Sequence, residues 1–203
     1  MIDLRHVDCM DYLATCENNA FELAIVDPPY GVNFDGQREC KKTARKGYEF
    51  KGWDSKGPDE IYFQELSRVA TRWIAWGANC YRPSISPLVI AWDKMQWSIG
   101  AEFEIAYTNF KGPNRCFRMA RCQAYTQEEK IHPTQKPTKL YEWLLINYAK
   151  EGDRILDTHL GSGSIAIACH NLGFDLVGCE LDPDYYAAAC ERLDKHKQQL
   201  RIF

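Results

Sequence analysis

The tetrapeptide DPPY, Asp27 to Tyr30, follows directly after an apolar run of strand length, Leu23 to Val26. A carboxylate accepts hydrogen bonds, two prolines fix the backbone that aims it, and an aromatic ring offers a flat surface. These residue types in this order predict a rigid clamp for a planar polar group. A buried strand that ends in a proline turn is the alternative, and these residues alone leave both interpretations open.

A second set of residues that could bind a ligand lies in the last third of the chain. Asp157 ends a predicted strand, and a glycine turn from Gly161 to Ser164 then opens a predicted helix. Glycines let the backbone approach a ligand closely, and a helix start presents free amide groups. Glu180 ends the next strand, where an acid accepts hydrogen bonds from the ribose of an adenosine-containing cofactor. The set predicts a nucleoside cofactor site rather than a pyrophosphate or triphosphate site, because the third glycine and a GK[ST] sequence are missing.

Two segments, at about 31–57 and 110–131, concentrate basic and aromatic side chains although the formal net charge of the chain is -3. Their basic residues include Arg38, Lys41, Lys42, Arg45, Lys46, Lys111, Arg115, Arg118 and Arg121. Basic loops with interleaved aromatic residues suit neutralisation of a nucleic-acid backbone and stacking on bases. Solvated surface loops are the alternative, because runs of charge are common on protein surfaces.

The elements that must position these residues alternate along the chain between strand-like and helix-like patterns. Strands are predicted at Asp3–Val7, Leu23–Val26, Trp73–Trp76, Leu88–Trp92, Phe103–Thr108, Arg154–Leu156 and Leu176–Cys179. Helices are predicted at Tyr12–Glu17, Glu60–Val69, Lys139–Ala149, Ile165–Leu172 and Tyr185–His196. Such alternation indicates an α/β protein with a mostly parallel sheet that helices cover on both faces.

Length and composition indicate one globular domain over 1–203, because 203 residues can build one sizeable core but hardly two. The sequence shows no signal peptide and no apolar run of the roughly 18 residues that a membrane span needs, so we expect a cytoplasmic protein. None of the nine cysteines forms a CxxC pair. We therefore expect reduced cysteines and no metal site.

Three motifs together resemble those of the DNA amino-methyltransferases that use S-adenosylmethionine. They are DPPY at Asp27–Tyr30, HPTQKP at His132–Pro137 and the glycine turn, in that order. A catalytic motif that comes first and a cofactor turn that comes last is similar to the beta arrangement of this family, in which the motif order is circularly permuted. The resemblance covers Asp8 to about Leu193 and implies a doubly wound, Rossmann-like methyltransferase fold in a prokaryotic or phage-encoded protein, as in restriction-modification systems.

The resemblance implies a catalytic role for Asp27, Pro28, Pro29 and Tyr30. Asp27 would accept one hydrogen of an exocyclic amino group and the carbonyl of Pro28 the other, which directs the nitrogen lone pair at the methyl group. Tyr30 would stack on a base extruded from the duplex. The expected product is DNA methylated at N6 of adenine. The alternatives are N4 methylation of cytosine and, from another class, a nucleic-acid-binding module that has lost catalysis.

The resemblance also assigns residues to the cofactor: the glycine turn to its methionine part, Glu180 to its ribose, and the pair after the first strand to its adenine. A cation in HPTQKP would pair with the methionine carboxylate. The residues so assigned are Asp8, Cys9, His132, Thr134, Lys136, Asp157, His159, Gly161, Ser162, Gly163, Ser164, Glu180 and Leu181. Thr158 and His159 stand where the family commonly has proline and an aromatic residue.

The segment at about 110–131 is short for a region that recognises a target sequence. We therefore expect sequence specificity to be low, to be shared with the loop at about 31–57, or to depend on a second subunit in a homodimer.

Overall fold

The computed structural model describes residues 1–36, 47–77, 79–81, 87–96, 101–120, 123 and 128–199. Within these ranges eight strands form one sheet, in the order β1-β8-β7-β2-β3-β5-β4-β6. The strands are β1 (Ile2–His6), β2 (Phe21–Val26), β3 (Ala70–Trp76), β4 (Val89–Asp93), β5 (Phe103–Thr108), β6 (Arg115–Arg118), β7 (Arg154–Asp157) and β8 (Asp175–Glu180). Only β5 among these runs antiparallel to its two neighbours, so the sheet is mixed but mostly parallel.

The helices of the described ranges are α1 (Cys9–Thr15), α2 (Glu60–Val69), α3 (Thr138–Tyr148), α4 (Ser164–Leu172) and α5 (Pro183–Gln198), with a short 3-10 turn at Trp53–Ser55. Three of them start at an aspartate, Asp8, Asp59 or Asp182, whose side chain accepts a hydrogen bond from a backbone amide of the first turn. Such a cap satisfies an amide that has no partner within the helix. Glycines in left-handed conformation, Gly163 and Gly173, flank α4.

Helices cover both faces of the sheet, and the side chains of the central strands β8, β7, β2 and β3 alternate between the two cores. Leu23 and Ile25 of β2 belong to the core that contains α3, α4 and α5. Ala24 and Val26 belong to the core that contains α1 and α2. All four are fully buried or nearly so. This arrangement is the doubly wound α/β architecture expected from the sequence.

The strand order places a topological switch point between β2 and β7. These two strands pair in parallel, with Leu23 opposite Ile155. The next strand along the chain, β3, lies on the far side of β2, whereas β8 lies on the far side of β7. In open α/β sheets a crevice forms outside the carboxyl ends of the strands at such a point, and ligands bind there. Asp27, Asp157 and Glu180 all lie at this end.

The predicted strands and helices are present, with boundaries that shift by up to a few residues. The helix expected at Tyr12–Glu17 instead spans Cys9–Thr15, because Asp8 caps it earlier.

One expectation was wrong. The segment at about 110–131 is not a loop throughout, since Arg115–Arg118 forms the edge strand β6 beside β4. Most of its side chains are exposed, so it lacks the apolar alternation from which strands are predicted.

In the part of the chain that the structure describes, no helix has both the length and the apolar character needed to span a bilayer. The cysteines of the same ranges are free thiols. No group of three or more His, Cys, Asp or Glu side chains in these ranges is placed to hold a metal ion.

Candidate active site

One cavity of about 990 Å³ opens at the carboxyl ends of the strands and brings the three motifs together. The DPPY residues Asp27, Pro28, Pro29 and Tyr30 all line it. So do most of the residues assigned to the cofactor, namely Asp8, Cys9, His132, Thr134, Lys136, His159, Gly161, Ser162, Glu180 and Leu181. The other three, Asp157, Gly163 and Ser164, lie outside this lining. Residues far apart in the sequence therefore share one site.

Glu180 and the glycine turn form one side of the cavity. One carboxylate oxygen of Glu180 accepts a hydrogen bond of 2.7 Å from the Gly161 amide, and the other accepts one of 2.9 Å from the Asp182 amide. Each carboxylate oxygen has a further lone pair. Glu180 is therefore fixed by the backbone and still able to accept hydrogen bonds from a ligand.

Asp157 is the last residue of β7 and is 1% exposed. Its carboxyl accepts the amide of His159 at 3.0 Å. Burial raises the pKa of Asp157 to about 8, because a charge in this apolar setting is poorly solvated. Burial therefore favours the protonated form of this carboxyl more than in an exposed aspartate.

His159 occupies the position where the resemblance leads one to expect an aromatic residue. Burial lowers the pKa of His159 to about 4, so its ring is neutral near pH 7. The ring meets the edge of Tyr62 with centroids 5.6 Å apart, and its Nδ1 lies 2.8 Å from the Thr158 hydroxyl. The imidazole therefore packs as an aromatic side chain would, and Thr158 also bonds the Tyr62 hydroxyl at 2.6 Å.

The HPTQKP segment lies against the glycine turn. A Cβ built on Gly161 would lie 3.8 Å from the His132 ring, and that ring packs on Tyr185 with centroids 4.3 Å apart. Burial, with the nearby lysine charges, lowers the pKa of His132 to about 3. His132 is therefore a neutral packing residue that also bonds the Thr134 hydroxyl at 3.1 Å.

Lys136, from the same segment, contacts Asp27 and Tyr30 of the DPPY motif. Its ammonium lies 2.6 Å from Asp27 Oδ2 and donates a hydrogen bond of 2.9 Å to the Tyr30 hydroxyl. The Tyr30 hydroxyl in turn donates to Asp27 Oδ1 at 2.8 Å. The Lys136 side chain is 2% exposed. The cation assigned to the methionine carboxylate is thus held, in this structure, by the carboxylate of the clamp.

Burial and charge act in opposite directions on this pair. Burial raises the pKa of Asp27, and the Lys136 ammonium opposes part of that rise. Burial alone would lower the pKa of Lys136, but the carboxylates of Asp27 and Glu104 raise it above its usual value. The ammonium therefore stays charged, and it favours the ionised form of Asp27, which accepts hydrogen bonds.

Asp54 fixes the backbone that follows the prolines. It is 3% exposed, and its carboxylate accepts the amides of Tyr30 at 2.6 Å, Gly31 at 2.9 Å and Phe34 at 2.7 Å. Three charge-assisted hydrogen bonds to one buried carboxylate hold this turn rigidly. Nothing in the sequence around Asp54 distinguishes it from a surface acid, so sequence reasoning missed it.

The segment from Tyr48 to Trp53 runs along the cofactor side of the cavity. Lys51 pairs with Asp182 at 2.8 Å and with Asp184 at 2.6 Å. The Trp53 ring packs on His132 with centroids 5.3 Å apart, and the Tyr48 hydroxyl bonds the Lys130 carbonyl at 2.7 Å. Part of the first basic segment therefore packs against the cavity wall. The charge pattern alone would predict a solvent-exposed loop there.

Of the basic residues assigned to nucleic acid, Lys111, Arg115 and Arg118 are described and are exposed. Arg115 bonds the Asn147 side chain at 3.2 Å, and Arg118 lies 3.5 Å from an Asp93 carboxylate oxygen. The remaining ones lie outside the described residues: Arg38, Lys41, Lys42, Arg45, Lys46 and Arg121.

Sequence reasoning also missed Glu104 and Lys94, which line the DPPY side of the cavity. They pair with each other at 2.7 Å. A glutamate within the otherwise apolar pattern of β5 was the available signal, because charged residues are rarely buried unless they are paired.

Gly77, at the end of β3, allows the Tyr30 ring to reach its position. Its backbone is left-handed, with φ of +84°, and a Cβ built there would lie 2.2 Å from the ring of Tyr30. Since real atoms cannot approach so closely, any side chain at this position displaces the tyrosine.

We expect Gly77→Ala to lower the free energy of unfolding by about 1–3 kcal/mol more than Gly152→Ala does. Gly152 is the matched control, because its φ is +86° but a Cβ there would meet nothing within 4 Å. Urea denaturation of both variants measures the difference. Equal destabilisation of the two variants would show that the Tyr30 ring does not press on this glycine.

The chain is similar in sequence and in fold to known DNA methylases. The family model for N6/N4-type DNA methylases matches residues 78–191, which is more than half of the chain. The matched residues include HPTQKP and the glycine turn, whereas the DPPY tetrapeptide precedes them. The type II methyltransferase M.HpaI from Haemophilus parainfluenzae is 25% identical over 222 residues, which cover 90% of this chain and 71% of that protein.

Two solved structures share the fold. The M1.HpyAVI-SAM complex superposes with a TM-score of 0.61 at 18% identity and covers 95% of this chain and 100% of that one. The cytosine-N4-specific PvuII DNA methyltransferase superposes with a TM-score of 0.63 at 12% identity and covers 100% of this chain and 88% of that one. The predicted methyltransferase fold is thereby confirmed.

The residues that the family model matches include strands of the sheet at whose carboxyl ends the cavity opens. DPPY and the glycine turn both line that cavity. The chain belongs to the family of N6/N4-type DNA methylases.

Proposed function

We propose that this protein transfers a methyl group from S-adenosylmethionine to N6 of adenine in DNA, on a base that has been turned out of the duplex. The observation that carries the proposal is the shared cavity of about 990 Å³, into which both the Asp27 clamp and the Glu180 side of the glycine turn face. A cofactor and a base can therefore meet without crossing a wall of protein.

The residues of the cofactor side fit S-adenosylmethionine. Glu180 keeps free lone pairs for ribose hydroxyls, and Gly161 lets the backbone come close to a ligand. Asp8, which caps α1 through the Met10 amide at 2.7 Å, lines the same side. When bound, the cofactor supplies an activated methyl group on a sulfonium. The complex of M1.HpyAVI with SAM, a protein of the same fold, supports this assignment.

The clamp activates the amino group of the base. An exocyclic amine is a poor nucleophile because its lone pair is delocalised into the ring. Asp27 and the carbonyl of Pro28 would accept hydrogen bonds from its two N–H groups and so localise the lone pair on nitrogen. After transfer the nitrogen must lose a proton, and the Asp27 carboxylate is the acceptor already bonded to it. Tyr30 would contribute its ring to the wall on which the base lies.

The choice of adenine rests on the aspartate at position 27, since aspartate in this motif resembles the adenine enzymes. The amino group at N4 of cytosine would need the same two hydrogen-bond acceptors, and the cytosine-N4-specific PvuII enzyme has the same fold. Identification of the methylated base in the product therefore distinguishes the two reactions.

Transfer of a labelled methyl group to DNA, followed by digestion to nucleosides, tests this proposal. We expect the label in N6-methyladenine and at least about a hundredfold slower incorporation by Asp27→Ala, because the base then lacks its acceptor. Label in N4-methylcytosine would overturn the choice of base. Equal incorporation by both proteins would overturn the role of Asp27. No incorporation by the natural protein on DNA of any sequence would leave a binding module.

We also propose that Lys111 and Arg118 bind phosphates of the DNA backbone. Reversing both charges, by Lys111→Glu with Arg118→Glu, should weaken DNA binding and lower its salt slope by about one for each phosphate that is no longer neutralised. The matched control reverses two exposed lysines of α5, Lys195 and Lys197, which changes the net charge equally. Binding isotherms over a range of salt concentrations measure both slopes. An identical slope in the two double variants would contradict local binding of phosphates by Lys111 and Arg118.

A further inference from the structure

Glu104 connects the clamp to a second lysine. It lies near the start of β5, opposite Trp92 of β4, at the same edge of the sheet as Asp27. One oxygen of Glu104 pairs with Lys94 at 2.7 Å and the other with Lys136 at 3.1 Å. Lys94, Glu104, Lys136 and Asp27 thus form a chain of alternating charges along the cavity wall.

The ammonium of Lys136 has three N–H donors, and the structure gives it three acceptors. They are Asp27 Oδ2 at 2.6 Å, the Tyr30 hydroxyl at 2.9 Å and Glu104 Oε2 at 3.1 Å. Because the side chain is 2% exposed, water hardly competes for these donors. A change in the ion pair between Glu104 and the Lys136 ammonium must therefore change the ion pair between Asp27 and that ammonium.

We propose that Glu104 is a positioning residue for methyl transfer, which shares the Lys136 ammonium with Asp27 and thereby sets how strongly Asp27 accepts a hydrogen from the target amino group. The inference rests on the function proposed above. It adds a role for β5 and for the end of β4, which that function does not require.

The charges around Asp27 predict the direction of each effect. Lys136 favours the ionised carboxylate, whereas Glu104 disfavours it. The buried carboxyl of Asp157 lies on the cofactor side, and the hydroxyls of Tyr30, Tyr62, Tyr81 and Tyr141 also face this region, with pKa values raised by burial so that they stay neutral. Lys136 and Glu104 are therefore the charges that tune Asp27 most directly.

Two substitutions should move Asp27 in opposite directions. Glu104→Gln removes a negative charge and leaves Asp27 as the carboxylate that pairs with the Lys136 ammonium, so the pKa of Asp27 falls. Lys94→Gln leaves Glu104 less compensated and draws Lys136 toward it, so the pKa of Asp27 rises. Charges at such distances shift a carboxyl pKa by about one unit or more.

The pH dependence of kcat/KM for methyl transfer tests this sign reversal. Activity requires the Asp27 carboxylate, so it rises with pH through the pKa of Asp27. We expect the acid limb to move down by about one pH unit in Glu104→Gln and up in Lys94→Gln. At the plateau, kcat of Glu104→Gln should fall about tenfold, because its Asp27 is bound more tightly by the ammonium. Glu102→Gln, an exposed change two residues before Glu104, should leave both quantities unchanged.

A second measurement keeps the inference separate from the proposed function. The carboxyl carbon of Asp27, labelled with carbon-13 and assigned through Asp27→Asn, reports its titration by NMR without DNA or cofactor. We expect the same opposite shifts for the two variants. Unchanged titration, or shifts of one sign in both variants, would overturn the role of Glu104 even if the natural protein methylates DNA. Opposite shifts in a protein that transfers no methyl group would support the charge coupling and overturn the proposed function.

Discussion

The ion pair between Asp27 and the buried Lys136 is the interaction on which the site depends. It joins DPPY to HPTQKP, two motifs from opposite halves of the chain, at 2.6 Å. Removing Asp27 would leave the buried Lys136 ammonium with Glu104 as its remaining carboxylate partner. The parallel pairing of β2 with β7 makes this contact compatible with the cofactor turn, because both strands end at the same edge of the sheet.

Three other residues keep this pair and the adjoining DPPY backbone in place. Asp54 ties down the backbone after the prolines through three amides, and Gly77 leaves room for the Tyr30 ring. Glu104 offers the ammonium a second anion. Each of these residues contacts the DPPY motif or Lys136, so these contacts hold the DPPY residues in place without a ligand. Such preorganisation is what a reaction with two precisely oriented partners requires.

The sequence predicted the architecture well, because alternating apolar runs and helical spacing report burial, and burial decides which elements form. The placement of DPPY, the glycine turn and Glu180 at the ends of strands was also predictable, and the structure brings them to one cavity. Strand β6 was not, because its side chains are mostly exposed. Asp54, Glu104 and Lys94 were missed for another reason: their roles depend on partners that only the folded chain brings near. A single charged residue carries no mark of the partner it will meet.

The proposed mechanism requires above all that Asp27 acts in the chemical step and not in binding. The single-turnover rate of methyl transfer, measured at saturating S-adenosylmethionine and DNA for the natural protein and for Asp27→Ala, tests this role most directly. We expect a rate at least about a hundredfold lower in the variant, with cofactor and DNA affinities that change no more than about twofold. An unchanged single-turnover rate, with the decrease in activity confined to weaker binding, would contradict it.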